Sequence, residues 1–194
     1  MNEAALEMLP EETFDQWLDK MIDENVVYRT INLFARDRFI YFFSVTPHLV
    51  KTVRNCLYSS CPDENYTRQM WKDGDHLMWQ HINNAYNKDS EKEIRYLNKL
   101  TLEHIKLTPY SKMRVSLAAQ VLSSSMSKIL RKDFPEYKET SNLFEFMDGF
   151  FDCLNVRSTN EGKFTLKPNL LPYRCSDDSR LKWLIEHFLG FFKD

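Results

Sequence analysis

Apolar residues recur at a helical period along most of the chain. In the N-terminal segment Phe14, Trp17, Leu18, Met21 and Ile22 fall three and four positions apart, which predicts an amphipathic helix over about residues 11–23. The same period predicts further helices at about residues 47–58, 77–86, 91–97, 102–107, 111–132, 142–154 and 178–192. This pattern favours a mainly α fold.

The segment from Val26 to Val45 departs from the helical period. The runs VVYRTINLFA and RFIYFFSV are rich in β-branched and aromatic residues and predict two strands or one hairpin. Thr46 then resembles a helix N-cap, with Pro47 at the first helical position. We therefore expect β structure only before Pro47: a short β/α region over residues 1–60 precedes a helical bundle over residues 61–194.

Composition restricts the classes of function. The 194 residues include only four glycines, which disfavours glycine-rich phosphate loops, and a net charge of −2 provides no basic field for nucleic acid. The acidic N-terminus lacks the order of a secretory signal, and no apolar run reaches the length of a membrane span. Because the sequence shows no secretory context, we expect an intracellular protein with reduced cysteines. The cysteine and histidine spacings fit no closed zinc pattern, so we expect no zinc site.

One predicted helix carries a candidate binding face. Asp148 and Asp152 lie at positions i and i+4, and Phe151 is adjacent, so two carboxylates and an aromatic ring share one side of the helix. The alternative interpretation is an ordinary amphipathic helix with solvated acids. The sequence contains no nucleophile elbow, dinucleotide fingerprint or metalloprotease helix, so it predicts no complete catalytic site.

Several segments together indicate a family. The segments PHLVKTVRN, LNKLTLEHI, KMRVSLAAQVLSSS, FFDCLNVRS, KPNLLPY and WLIEHFLGFFKD resemble, in this order, the P-element-type DNA transposases, which often carry an N-terminal THAP DNA-binding domain. The resemblance implies an RNase H-like catalytic domain that is split by a helical, GTP-binding insertion. By this resemblance residues 1–60 are a partial RNase H-like remnant, and residues 61–194 are insertion-like.

The resemblance also implies a catalytic difference. Such transposases cut DNA with three acidic residues and Mg²⁺, and one of these aspartates stands two residues before the proline of the PHL motif. That position is Val45 here, and an isopropyl group cannot ligate a metal ion. The segments expected to carry the other two acids and the THAP zinc module do not occur in this sequence. We expect a non-catalytic, transposase-derived protein, by resemblance nuclear.

The resemblance also implies a nucleotide-binding site. It places guanine-nucleotide contacts on Lys99, Val115, Asp148, Phe151 and Asp152, with GTP and Mg²⁺ as cofactors. A carboxylate can accept both N1–H and N2–H of guanine, and an aromatic face can stack on the purine. Several relatives have Asn in place of Asp148, and an amide can donate to guanine O6 whereas an ionised carboxylate cannot.

Two hypotheses of function follow. The first is a guanine-nucleotide-binding protein whose further partner is DNA or a transposase-related protein. The alternative is a nuclear interaction or DNA-associated scaffold that has kept the fold and lost the ligand. Nucleotide binding distinguishes the two hypotheses, and the sequence leaves the oligomeric state open.

Overall fold

The computed structural model describes residues 29–32, 34–35, 38–41, 45–60, 68–156, 158–175 and 177–192. The chain divides into two compact units, residues 1–44 and 45–194. In the first unit, strands β1 (Arg29–Ile31) and β2 (Phe39–Tyr41) pair antiparallel, with Thr30 opposite Ile40. This pairing confirms the predicted hairpin, and its assignment to an RNase H-like fold stays a prediction. The helix predicted over residues 11–23 lies outside the described residues.

The second unit is mostly helical, which confirms the mainly α fold class. Short 3₁₀ turns at Pro135–Tyr137 and Pro168–Leu170 and a π-helical turn at Leu184–Phe188 join its longer elements. In chain order these are α1 (Thr46–Tyr58), β3 (Trp71–Lys72), β4 (Asp75–His76), α2 (Trp79–Ser90), α3 (Leu102–Ile105), α4 (Pro109–Met113), α5 (Val115–Val121), α6 (Ser124–Asp133), α7 (Lys138–Leu154), α8 (Glu161–Phe164), α9 (Ser179–Trp183) and α10 (Leu189–Phe191).

The core of this unit lies around α6 and α7, which pack against each other along their lengths. On α7, Leu143, Met147 and Phe150 form a buried stripe, and Leu130 of α6 is fully buried against it. Burying each such side chain stabilises the fold by about 1.5–3 kcal/mol. Because the stripe recurs every three to four residues, the polar positions of α7 beside it are held at the edge of the core.

Helix α1 packs against α5 and α7, inside the second unit. Its buried positions are Val50, Arg54 and Leu57. The division between the units therefore falls after residue 44 rather than at the predicted boundary after residue 60. The N-cap is also one residue earlier than predicted, because Val45 caps α1 without a side-chain bond and Thr46 begins the helix. No described helix combines the length and apolar character that crossing a bilayer requires.

The helix predicted over residues 91–97 is absent. The fully buried carboxylate of Asp89 accepts hydrogen bonds from the backbone N–H groups of Tyr96 (3.1 Å) and Leu97 (2.9 Å). These bonds satisfy the donors that a helix would use, and Asp and Asn side chains commonly compete with helical backbone in this way. Residues 91–101 consequently form turns.

The long helix predicted over residues 111–132 is instead three helices, α4, α5 and α6. The backbone is extended at Arg114 and Ser123, between these helices. Thr108 is the N-cap of α4, and it forms a reciprocal capping box with Ser111. Side chains of Ser and Thr bond the backbone locally and favour helix starts, which the apolar period does not register.

The remaining differences are smaller. β structure is not confined to the region before Pro47, because β3 and β4 pair around Asp73 and Gly74, whose φ angles of 51° and 87° suit a tight hairpin turn. The predicted helix over residues 102–107 is limited to α3, and α7 begins four residues before the predicted start at residue 142.

Candidate functional site

A cavity of about 310 Å³ lies between residues 96–100, the junction of α5 and α6, and the outer face of α7. This volume is near the lower end of the range for ligand-binding cavities, about 300–1,000 Å³. Four of the five predicted nucleotide contacts line the cavity: Lys99, Asp148, Phe151 and Asp152. The fifth, Val115, is the first residue of α5 and is not among the lining residues.

Helix α7 provides the acidic wall of the cavity. Asp148, Phe151 and Asp152 share one side of the helix because they are spaced at i, i+3 and i+4. Asp152 is only 9% exposed and Asp148 is half-buried, so these acids are not an ordinary solvated helix face. Burial of both carboxylates requires a compensating charge or hydrogen bonds.

Lys167 provides that compensation. Its Nζ lies 2.6 Å from Oδ2 of Asp152 and 3.4 Å from Oδ2 of Asp148. Burial raises the pKa of Asp152, and the hydrogen bond from Lys167 partly opposes this shift. Burial lowers the pKa of Lys167, but the two carboxylates raise it by more, so the net shift is upward. The sequence pattern indicated no role for Lys167, although this residue begins the KPNLLPY segment.

The backbone around α8 brings Lys167 to the carboxylates. The Lys167 N–H donates to the carbonyl of Gly162 at 3.1 Å, and Leu166 between them has a φ of 54°. A Cβ on Gly162 would lie 2.7 Å from the backbone nitrogen of Leu171 and 2.8 Å from the carbonyl carbon of Leu170. Glycine at residue 162 is therefore required for the close approach of these two backbone segments.

Arg180 ties the segment after Lys167 to α9. Its guanidinium donates to the carbonyls of Asn169 (3.1 Å), Leu171 and Pro172 (3.3 Å). The Asp178 carboxylate accepts from the same guanidinium at 2.7 and 2.8 Å, and these bonds lower the pKa of Asp178 to about 2. One planar side chain therefore satisfies three carbonyls of the loop that follows Lys167.

The turn at residues 96–100 forms the opposite wall. Besides the bonds to Asp89, this turn accepts hydrogen bonds from Nη2 of Arg95 at the carbonyls of Leu97 (3.5 Å) and Leu100 (3.2 Å). Arg95 and Lys92 lie 3.8 and 3.7 Å from the Asp89 carboxylate. The buried acid thus orders the turn on which Lys99 is exposed at the cavity.

The N-terminus of α6 forms the third side of the cavity, lined by Ser123, Ser124 and Ser125. Ser123 is the N-cap, and its hydroxyl accepts from the backbone N–H of Met126 at 3.4 Å. The other first-turn N–H groups of this ten-residue helix have no helical acceptor and carry partial positive charge. The cavity is therefore acidic on α7 and electropositive at α6 and Lys99.

The side chains of this cavity do not suit a metal ion. Among the residues that the structure describes, no group of three or more His, Cys, Asp or Glu side chains could hold a metal ion. The carboxylates of Asp148 and Asp152 are engaged by an ammonium group, which repels a cation. Val45, outside the cavity, is exposed immediately before α1.

Comparisons with known proteins agree with the resemblance. The family described as the TNP-like, GTP-binding insertion domain matches residues 47–167, which include every residue that lines the cavity. The transposable element P transposase of Drosophila melanogaster is 30% identical over 124 residues, which are 61% of this chain and 15% of that protein. The Drosophila P element transposase strand transfer complex shares the fold, with a TM-score of 0.59 and 22% identity over 88% of this chain and 47% of that chain. The chain spans less than half the length of either relative.

The family match covers more than half of the chain, and the sequence comparison and the structure comparison both match P element transposases. This chain belongs to the TNP-like, GTP-binding insertion domain family of P-element-type transposases.

Proposed function

We propose that this chain binds a guanine nucleotide in the cavity beside α7 and that it neither cleaves nor joins DNA. The observation that carries the nucleotide proposal is the grouping of Asp148, Asp152 and Lys167 with the ring of Phe151 in one cavity. Membership of a family described as GTP-binding supports the same ligand.

The base is recognised at the acidic wall. An ionised Asp152 accepts from N1–H and N2–H of guanine, whereas adenine presents an acceptor at N1 and no amino group at C2. A hydrogen bond to a charged group contributes about 1.5–3 kcal/mol, and about 1.4 kcal/mol corresponds to a factor of ten in affinity. Asp152 alone therefore favours guanine over adenine by at least about tenfold. Phe151 provides a flat apolar face for either purine.

The phosphates face the electropositive side of the cavity. The first-turn N–H groups of α6 and the ammonium of Lys99 attract anions, whereas Asp148 and Asp152 repel them. This charge distribution orients the nucleotide with its base at α7 and its phosphates at α6. The side chains present do not fit a magnesium ion of their own, so the proposal concerns the nucleotide alone.

The absence of DNA cleavage rests on Val45, which stands where the family resemblance places a catalytic aspartate. A valine side chain has no lone pair with which to hold a metal ion. Within this proposal the protein acts in the nucleus, with DNA or a transposase-related protein as its partner; family membership is the support for both statements. Incubation of purified protein with supercoiled plasmid and Mg²⁺ tests this part, and reproducible nicking would overturn it.

Calorimetric titration with GTP, GDP and ATP tests the nucleotide proposal. We expect GTP and GDP to bind and ATP to bind at least about tenfold more weakly. Asp152→Asn should weaken GTP binding and reduce the difference in affinity between GTP and ATP. Phe151→Ala should weaken the binding of both nucleotides. Asp148→Asn should strengthen GTP binding, because it removes a negative charge that repels the phosphates across the cavity.

Glu145→Gln is the matched control, because this carboxylate is on the same helix but is exposed and paired with Arg131. It should leave every affinity unchanged. Equal affinity for ATP and GTP, or no effect of Asp152→Asn, would contradict the proposal and favour the scaffold without a ligand.

A further inference from the structure

A buried histidine orients one side chain of the cavity. His104 is only 3% exposed, and its Nδ1 lies 3.0 Å from the backbone nitrogen of Thr101. Its Nε2 lies 2.6 Å from Oε1 of Gln120, which lines the cavity at the end of α5. Three residues, Thr101, His104 and Gln120, thus form one hydrogen-bonded chain from the backbone to the cavity.

The direction of every bond in this chain follows from its first member. A backbone N–H can only donate, so Nδ1 of His104 is the acceptor and the ring proton is on Nε2. Nε2–H then donates to Gln120, so the atom of the amide that faces His104 is the oxygen. The O and N positions of a glutamine amide are usually ambiguous, but here the backbone determines them. The NH₂ group of Gln120 is the end left for the cavity.

The amide nitrogen of Gln120 has no hydrogen-bond acceptor among the residues that the structure describes. Other donors at the cavity are less suited to a neutral oxygen. Lys167 is already engaged by two carboxylates, and Lys99 is exposed. Gln120 therefore presents two directed, unused N–H donors to a ligand in the cavity.

We propose that Gln120 is a specificity-determining residue whose amide N–H donates to O6 of guanine, and that His104 is the positioning residue that holds it. This inference rests on the proposed guanine-nucleotide site. Guanine presents O6 as an acceptor beside N1–H and N2–H, which matches a donor at Gln120 together with an acceptor at Asp152. Adenine has an amino group in place of O6 and an acceptor at N1. Its amino group would face the N–H donors of Gln120, and its N1 would face the acceptor oxygens of Asp152, so neither hydrogen bond could form.

The experiment compares GTP with 6-thio-GTP by calorimetric titration. The thio analogue keeps N1–H and N2–H but replaces O6 with sulfur, a weaker acceptor. The wild-type protein should bind GTP about three- to tenfold more tightly than 6-thio-GTP, the range for one neutral hydrogen bond. Gln120→Leu should weaken GTP binding by a similar factor, leave 6-thio-GTP binding nearly unchanged and so abolish the preference. Gln80→Leu, which alters an exposed glutamine on α2, is the matched control and should keep the wild-type preference.

The role of His104 is tested by a double-variant cycle. His104→Leu should lower the preference for GTP over 6-thio-GTP, because the amide can then rotate. Gln120→Leu added to His104→Leu should reduce the preference little further, so the two effects should not add. Additive effects would contradict the positioning role.

The remaining outcomes separate the two proposals. If the wild-type protein binds no guanine nucleotide, the proposed function and this inference are both overturned. If it binds GTP and 6-thio-GTP equally, or if Gln120→Leu weakens both by the same factor, only the assignment of O6 to Gln120 is overturned. Circular dichroism of each variant establishes that a lost preference does not reflect a lost fold.

Discussion

The ammonium nitrogen of Lys167 lies 2.6 Å from Oδ2 of Asp152, the carboxylate to which we assign the recognition of guanine. An ionised carboxylate has about four lone-pair positions, so Asp152 can keep this bond and still accept from a base. Because burial raises the pKa of Asp152, the neighbouring cation helps to keep the carboxylate ionised. Lys167 therefore belongs to the recognition machinery even where it does not contact the nucleotide.

In Lys167→Met, guanine binding should require a higher pH than it does in the wild-type protein. Without the cation the pKa of Asp152 rises further, and only the ionised form accepts from N1–H and N2–H. The pH at which GTP affinity reaches half its maximum should therefore move upward, as measured by titration at a series of pH values. Lys163→Met, which alters an exposed lysine of α8, should keep the wild-type profile. Identical profiles for wild type and Lys167→Met would contradict this role.

The same pKa shift predicts a trend in stability. An acid whose pKa is higher in the folded state than in the unfolded state stabilises the fold most when it is protonated, and this contribution falls as the pH rises through the folded pKa. In Lys167→Met the free energy of unfolding should therefore fall, relative to the wild type, as the pH rises above about 4. Urea unfolding at several pH values measures this difference, and a difference that does not vary with pH would count against it.

Gly162→Ala should destabilise the protein by about 1–3 kcal/mol, the usual cost of overpacking. Its Cβ would lie within 2.8 Å of backbone atoms of Leu170 and Leu171, which cannot move without displacing the Lys167 segment. GTP affinity should fall as well. Gly190→Ala is the control, because nothing lies within 4 Å of its Cβ and alanine favours a helix by up to about 1 kcal/mol. Equal unfolding free energies for the two variants would refute the steric argument.

Arg180→Lys should destabilise the protein by about 1–3 kcal/mol, because a single ammonium cannot replace the planar fork that serves Asp178 and three loop carbonyls. Chemical denaturation measures the change. Arg131→Lys is the control: its exposed pair with Glu145 should contribute less than about 1 kcal/mol. If both substitutions have the same small effect, Arg180 does not order the loop.

His81 should make the fold sensitive to acid. Its ring is buried, stacks on Tyr137 at 3.8 Å and lies 2.8 Å from Oγ1 of Thr140. Burial lowers the pKa of His81 from 6.5 to about 4. Because the unfolded state binds the proton first, stability should be lost as the pH falls from about 6.5 through 4, by up to about 3 kcal/mol.

Urea unfolding of His81→Gln across this pH range checks the assignment, because the variant should lack this part of the acid sensitivity. His187→Gln, which changes an exposed histidine, should keep it. An unaltered pH dependence in His81→Gln would show that the loss of stability comes from other groups.

Local rules predicted the acidic face of the site well. Asp148, Phe151 and Asp152 share one side of α7 because positions three and four apart always do so in a helix. The cavity confirms that they lie together, with Lys99 opposite. Val115 was assigned by resemblance alone, and the structure does not bring it into the cavity lining.

The apolar period predicted the wrong helices where side chains form hydrogen bonds with the backbone. The apolar period continues through residues 91–97 and 111–132, but Asp89 takes the N–H groups of Tyr96 and Leu97, and Thr108 and Ser123 begin new helices. Such bonds depend on one polar atom reaching one N–H group, and hydrophobic periodicity carries no information on that.

The sequence by itself determined the helical class, the shared face of α7 and, through collinear motifs, the family. Each of these is a property of neighbouring residues or of their order. Only the tertiary structure decided that Lys167 neutralises Asp152, 15 residues earlier, and that His104 orients Gln120, 16 residues later. Charge neutralisation and amide orientation depend on distances of about 3 Å between atoms of separate elements, and those distances exist only once the helices have packed.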